Sequence, residues 1–130
     1  MTTPGTLRTP LSQVRGRGAA RSGANTWIAE RVTSVALALL SPWILWAGAT
    51  TLTGGYEAAI AWLRQPWNAV ALALFMAVSF HHMQLGMRVI VEDYIHKHGA
   101  KTVLLLANLF LCTALSAASV FAILKISLGA

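Results

Sequence analysis

Apolar residues are concentrated in three long runs, and most charged residues lie before or between them. The runs cover residues 32–52, 67–91 and 102–126. Each matches or exceeds the roughly 20 residues that an α-helix needs to cross the hydrocarbon core of a bilayer. The pattern therefore predicts an all-α integral membrane protein with three transmembrane helices, at about residues 30–53, 66–95 and 102–127.

Glycine and proline mark the ends of these helices. Residues 53–55 end the first helix, and residues 56–64 form a short interfacial stretch. Pro66 suits the first turn of the second helix. Residues 96–101 are expected to form the turn into the third helix, with Gly99 directly after the end of the second.

Composition agrees with a membrane protein, since 56% of the 130 residues are hydrophobic and only 11% are charged. A soluble domain of ordinary composition carries about 25% charged residues. The first apolar run has no charge, the second only Arg88 beside two histidines, and the third only Lys125 near its end. We therefore expect one membrane domain, residues 27–130.

The net charge of +6 is concentrated in an arginine-rich tail, residues 1–26, which contains no acidic residue. The tail has no helical hydrophobic period and is expected to be disordered up to Asn25 and Thr26, which favour a helix start. A basic tail beside a first span is an orientation signal, so we expect no nucleic-acid partner.

Lysines and arginines also predict the orientation of the chain. The tail and the turn with Lys97 and Lys101 are the most basic segments, which places the N-terminus on the cytoplasmic or matrix side and the C-terminus opposite. A bacterial inner membrane is favoured over the mitochondrial inner membrane, although the tail resembles a transit peptide as well.

Two adjacent histidines lie in the second apolar run. A histidine in a membrane span is costly and is usually retained because something binds it. His82 lies nine residues before the end of the run, roughly 14 Å from the membrane boundary at 1.5 Å per residue. On a helical wheel it shares a face with Gly86, Val89 and Asp93, whereas His81 points about 100° away.

A neutral imidazole at this depth suits the axial position of a haem iron. Zinc would need three or four ligands, and no further Cys, His or carboxylate lies at this depth on the face of His82. A proton relay usually shows more than one buried ionisable group. Two alternatives stay open: His82 could simply hydrogen-bond a neighbouring helix, and His81 could be the ligand instead. Gly86 would admit either a flat macrocycle or a neighbouring helix.

Three further residues are candidates at the cytoplasmic membrane edge. The hydroxyl of Tyr94 can donate a hydrogen bond to a quinone carbonyl, and the carboxylate of Asp93 can orient a group or pass a proton. Alternatively, they are an aromatic-belt tyrosine and a solvated acid at a helix end. Arg31, at the start of the first span, is a candidate partner for haem propionates or an orientation-setting charge.

Three helices make a thin bundle with little interior in which to hide His82. We infer that helices of other chains are needed and that this chain is one subunit of an assembly. A cofactor-free structural membrane subunit, or a small transporter component, is the alternative function.

The segment that starts at His82 resembles the second-helix motif of the smaller hydrophobic membrane-anchor subunit of succinate dehydrogenase (respiratory complex II). The family pattern is a histidine, a glycine four residues later, and an Asp-Tyr pair seven and eight residues after the glycine. This chain matches it at His82, Gly86, Asp93 and Tyr94. Residues 27–34, which contain the pattern Arg-x-Thr-Ser, are similar to the start of the family's first helix.

The resemblance implies a membrane-anchor subunit of succinate:ubiquinone oxidoreductase. It implies that His82 is an axial ligand of a b-type haem shared with a second, partner anchor subunit, that Tyr94 hydrogen-bonds ubiquinone and that Asp93 supports that site. It also implies a flavoprotein and an iron-sulfur subunit as partners. Cys112 is the only cysteine and there is no Gly-rich nucleotide loop, so the chain should be non-catalytic on its own.

Overall fold

The protein is all-helical in the part of the chain that the computed structural model describes, residues 23–129 together with Thr9 and Leu11. The helices are α1 (Gly23–Leu52), α2 (Gly55–Leu63), α3 (Pro66–Tyr94) and α4 (His98–Leu128). Three of them, α1, α3 and α4, are long and apolar enough to cross a membrane. The predicted all-α membrane fold with three spans is confirmed. The predicted tail lies mostly outside the described residues.

Helix α3 is the central element of the bundle. It packs against α4 on one side and α1 on another, whereas α1 and α4 make no contact with each other within the described ranges. The short helix α2 lies between α1 and α3 in the chain and contacts all three long helices. Adjacent residues of α3 can therefore face different neighbours.

The turns at the α2 end of the bundle are held by specific contacts. Gly55 has a φ of 74°, a left-handed backbone conformation that glycine adopts without steric cost, and it reverses the chain after α1. The rings of Trp43 in α1 and Trp62 in α2 pack with their centroids 5.8 Å apart. The Nδ2 of Asn68 donates a hydrogen bond to the Trp62 carbonyl over 2.9 Å, which ties α2 to the start of α3.

The α3–α4 turn is shorter than the sequence predicts. Only residues 95–97 are non-helical, and α4 begins at His98 rather than at residue 102. Gly99 was expected to follow the end of α3; that prediction is wrong, because Gly99 lies in the first turn of α4. The Nζ of Lys101 donates to the backbone oxygen of Glu92 over 2.7 Å. This bond satisfies a carbonyl at the end of α3, so no glycine cap is required there.

Helix α1 starts earlier than expected, at Gly23, so that Asn25 and Thr26 lie inside the helix instead of capping it. No proline or further glycine interrupts residues 24–31, and the polar lead-in can therefore stay helical outside the hydrocarbon core. The guanidinium of Arg31 lies 5.4 Å from the ring centroid of Trp27, a cation–π contact that supports this first segment.

The bundle buries few side chains. The buried hydrophobic residues of the described part are Ala47, Ala69, Leu85, Val91, Cys112 and Ile123. Large apolar side chains such as Leu39 and Leu45 are more than 70% exposed. Exposure of this kind along helices of membrane-spanning length is expected for surfaces covered by lipid or by helices of other chains.

Candidate functional site

A hydrogen bond joins His82, in the middle of α3, to α1. The Nδ1 of His82 lies 2.8 Å from the Oγ1 of Thr33. Thr33 is the buried polar residue of the described chain, with 8% of its surface exposed. The two residues are 49 positions apart, so the contact depends on the packing of α1 against α3.

The hydroxyl proton of Thr33 is directed to the backbone of its own helix. Its Oγ1 lies 2.8 Å from the carbonyl oxygen of Ala29 and 3.1 Å from that of Glu30. Carbonyl oxygens only accept hydrogen bonds, so the hydroxyl donates to them and accepts from His82. This network assigns the ring proton to Nδ1, which leaves the lone pair of the neutral imidazole on Nε2. No hydrogen bond to Nε2 is formed by the described residues.

His82 lines a cleft of about 330 Å³ between the first half of α1 and α3. The cleft is lined by Glu30, Arg31, Ser34, His82, Gly86 and Val89. Of the four residues that the helical wheel places on one face, His82, Gly86 and Val89 line this cleft and Asp93 does not. Arg31 also lines this cleft, and its guanidinium lies over the ring of Trp27 in the same helix.

Gly86, one helical turn from His82, faces open space. A Cβ atom added to this glycine would meet no atom of a neighbouring helix or of another side chain within 4 Å. Packing within this chain therefore does not require a glycine at this position. The open space beside this turn can take a flat ligand or a helix of another chain.

The residues present fit a haem. A histidine that binds a metal through one nitrogen commonly donates its other N–H to a second group, and His82 does so to Thr33. The described residues hold no cluster of three or more His, Cys, Asp or Glu, whereas haem iron can be held by one protein ligand from a given chain. The cleft is open, so a second chain can complete it.

His81 lies on a different face of α3. It lines a cleft of about 340 Å³ between α3 and α4, together with Gln84, Cys112, Thr113 and Ser116 among others. The His82 cleft does not include it. The two histidines therefore face different neighbours, and the sulfur of Cys112 is buried beside the second cleft.

Asp93 and Tyr94 form an exposed pair at the end of α3. They lie eleven and twelve residues after His82, about 16–18 Å along the helix axis at 1.5 Å per residue. Tyr94 is 76% exposed, and neither residue lines the His82 cleft. The structure therefore separates these two candidate residues from His82, at the membrane end that carries the start of α1.

Sequence reasoning gave Thr33 no role, although it is the residue that contacts His82. One signal could have revealed it. The first and second spans run in opposite directions, so a hydroxyl residue ten positions after the start of α1 lies close to the depth of a histidine twelve positions before the end of α3. Thr33 satisfies this condition for His82.

Comparisons with known proteins agree on one family. The family model of the succinate dehydrogenase/fumarate reductase transmembrane subunit matches residues 5–121. The chain is 34% identical to the succinate dehydrogenase hydrophobic membrane anchor subunit of Rickettsia conorii over 106 residues, which cover 80% of this chain and 84% of that protein.

Two further relatives carry the same name. The protein of Rickettsia felis is 36% identical over 104 residues, covering 80% of this chain and 87% of the relative. The protein of Paracoccus denitrificans is 30% identical over 122 residues, which cover 94% of each chain. No solved structure is a significant match.

Proposed function

We propose a haem-binding and quinone-binding role for this chain, which belongs to the succinate dehydrogenase/fumarate reductase transmembrane subunit family and is a membrane-anchor subunit of succinate dehydrogenase. One observation carries the haem proposal. The Nδ1 of His82 is hydrogen-bonded to Thr33, its Nε2 has no partner among the described residues, and Gly86, one turn away, faces open space.

In this proposal His82 supplies one axial nitrogen to a b-type haem, and a second, partner anchor subunit supplies the opposite ligand. When bound, the haem provides a one-electron carrier within the membrane. Gly86 keeps the neighbouring turn free of a side chain. Arg31 lines the same cleft, and its positive charge near the start of α1 favours carboxylates such as haem propionates.

Tyr94 and Asp93 are proposed to contribute to the site at which ubiquinone is reduced. The exposed hydroxyl of Tyr94 can donate a hydrogen bond to a quinone carbonyl, and Asp93, next in the chain, can orient the site or pass a proton. Both residues are too exposed to form a pocket alone, which supports a site completed by other chains of the complex.

The proposed partners account for the chemistry that this chain lacks. A flavoprotein subunit would oxidise succinate, and an iron-sulfur subunit would carry the electrons to ubiquinone beside the anchor. With one cysteine in its sequence, this chain cannot bind a cluster that needs four thiolates. On its own it is therefore expected to have no activity.

The proposed location is the inner membrane of a bacterium, with the start of α1 on the cytoplasmic side. The related proteins named above are bacterial. Lys97 and Lys101, at the α3–α4 turn, lie at the same end of the bundle as the start of α1, because successive spans are antiparallel. Their charges favour the cytoplasmic side for this end.

Absorption spectra of the purified complex test the haem proposal. We expect His82→Ala to lose the reduced b-type absorption band and His81→Ala to keep it, because only His82 lies at the cleft that contains Gly86. Haem retained at the wild-type level in the His82→Ala complex would contradict the proposal.

A cofactor-free structural role is the second candidate, and the Thr33–His82 hydrogen bond favours it, because that bond already gives His82 an interhelical partner. The same spectra separate the two functions. A wild-type complex that reduces quinone normally and contains no haem would establish the structural role for His82.

The quinone proposal is tested by Tyr94→Phe, which removes only a hydroxyl. We expect slower quinone reduction with unchanged oxidation of succinate by artificial acceptors, because these acceptors bypass the membrane site. Tyr56→Phe is the matched control, since Tyr56 is also 76% exposed but lies in α2 at the other end of the bundle. Equal quinone kinetics in both variants would rule out a direct contact with Tyr94.

A further inference from the structure

We infer that Thr33 is a positioning residue that holds the ring of His82 in the tautomer and orientation needed for Nε2 to bind iron. Its hydroxyl, on a neighbouring helix, accepts a hydrogen bond from the Nδ1–H of His82. This hydrogen bond also sets how strongly the imidazole donates electrons to the iron. The inference rests on the haem function proposed above and assigns the residue that supports the ligand.

The backbone of α1 favours one direction for the hydrogen bond between Thr33 and His82. Two carbonyl oxygens, those of Ala29 and Glu30, lie within 3.1 Å of the Thr33 hydroxyl and can only accept its proton. The opposite tautomer of His82 would require this hydroxyl to turn away from both carbonyls and donate to Nδ1 instead. Thr33 is buried, so water cannot readily replace the lost contacts.

The neighbouring hydroxyl does not compete for His82. Ser34 lies in the same cleft, but its Oγ donates to the carbonyl oxygen of Glu30 over 2.7 Å. Of the hydroxyl groups in the described chain, Thr33 is therefore the one that contacts the ring. The ring plane of His82 is held by a contact from α1, and Nε2, on the far side of the ring from Cγ, stays available.

Loss of such a supporting contact has two measurable effects. Residues that hydrogen-bond a metal-binding histidine commonly contribute 10–100-fold to metal affinity, and they raise the basicity of the ligand. A hydroxyl acceptor makes the imidazole a stronger donor, which stabilises oxidised iron relative to reduced iron. Without it, the haem is expected to be held more weakly and to be reduced more easily.

The test is Thr33→Val in the assembled complex, since valine keeps the shape of threonine without the hydroxyl. We expect less haem per complex and a higher midpoint potential. A change of up to tenfold in the ratio of reduced to oxidised haem corresponds to a shift of up to about 59 mV in the one-electron midpoint potential. Thr33→Ser should restore the wild-type potential, because serine retains the accepting oxygen.

Thr50→Val is the matched control. Thr50 lies on the same helix, and its hydroxyl also bonds two backbone carbonyls, those of Trp46 and Ala47, but it contacts no histidine. Its variant should keep the wild-type haem content and potential. If Thr33→Val does not assemble, Thr33→Ala removes the same hydroxyl with a smaller side chain and takes its place.

The inference is overturned if Thr33→Val or Thr33→Ala keeps the wild-type haem content and potential. It is also overturned if Thr33→Ser shifts the potential as much as Thr33→Val does. These outcomes differ from failure of the haem proposal itself. That proposal fails if the wild-type complex lacks haem or if His82→Ala keeps it, and the role of Thr33 then fails as well.

Discussion

The two ring nitrogens of His82 have different surroundings, and this difference determines what the residue can bind. Nδ1 is bonded to Thr33, whereas Nε2 has no partner in the described chain. A histidine that only joined two helices would be satisfied by Thr33 and would not require a glycine one turn away. The combination with Gly86, which faces open space, favours a ligand from outside the chain.

Replacement of Gly86 tests whether a ligand from outside the chain occupies the space beside His82. We expect Gly86→Leu to lower the haem content of the purified complex, because the new side chain occupies space beside His82 that this chain leaves empty. Haem per complex is measured by absorbance of the reduced form.

Gly48→Leu provides the control for this substitution. Gly48 lies in α1, and a Cβ added there also meets no atom of a neighbouring helix or another side chain within 4 Å, but the position lines an apolar cleft far from His82. Its variant should keep the wild-type haem content. An equal loss of haem in both variants would show that a leucine at any open glycine lowers haem content, and that the space beside His82 has no special role.

Single residues differ in how far their roles could be predicted from the sequence. The wheel positions of His82, Gly86 and Val89 follow from helix geometry alone, and the structure brings them to one cleft. Thr33 was missed, because its contact depends on how α1 packs against α3. The pocket around Tyr94 could not be derived either, since other chains are proposed to complete it.

At the scale of helices, α3 connects the two halves of the bundle. Besides the Lys101–Glu92 bond at the turn, a polar contact further along the helices holds it to α4: the Nδ2 of Asn108 donates to the backbone oxygen of Gln84 over 2.9 Å. The Oδ1 of Asn108 accepts a weak hydrogen bond from the sulfur of Cys112, 3.3 Å away. Both the nitrogen and the oxygen of the Asn108 amide are therefore hydrogen-bonded, and the bond from the nitrogen links α4 to α3.

We expect Asn108→Leu to destabilise the anchor by about 1 kcal/mol, the usual range for a hydrogen bond between membrane helices. The measurement is unfolding of the complex in mixed micelles at increasing denaturing detergent. Ser119→Ala is the control, because the Ser119 hydroxyl bonds only the Leu115 carbonyl in its own helix. Equal stability of the two variants would show that the Asn108 link contributes nothing.

The three long helices and most of their ends could be predicted from hydropathy, but the starts of α1 and α4 could not. Apolar runs of membrane length define the three spans, since backbone groups in lipid must be satisfied within a helix. Outside the hydrocarbon core this constraint disappears, and the ends depend on local contacts. Lys101, whose Nζ bonds the Glu92 carbonyl, supports a tight turn that the presence of Gly99 did not predict.

At the scale of the whole molecule, the bundle leaves large apolar surfaces for lipid or for other chains. Helices α1 and α4 do not contact each other in the described part, and large apolar side chains are exposed along all three spans. An anchor subunit offers such surfaces to other chains of its complex, and we propose that one end of the bundle faces the soluble subunits. The end proposed to face these subunits is the basic one, which carries Lys97 and Lys101.

A C-terminal fusion tests the orientation of the molecule. We expect alkaline phosphatase fused after Ala130 to be active, because this enzyme requires the periplasm and the positive-inside rule places the C-terminus there. A fusion within the α3–α4 turn, after His96, should be inactive. The reverse pattern would contradict the proposed orientation and the position of the quinone site.

The most direct test of the haem function is a map of the whole complex, purified through a tag on this chain. We expect a porphyrin between this chain and a second anchor subunit, with its iron coordinated by the Nε2 of His82. The Nδ1 of His82 should still be hydrogen-bonded to Thr33. A complete complex in which His82 contacts only Thr33 and lipid, with no porphyrin beside it, would contradict the proposal.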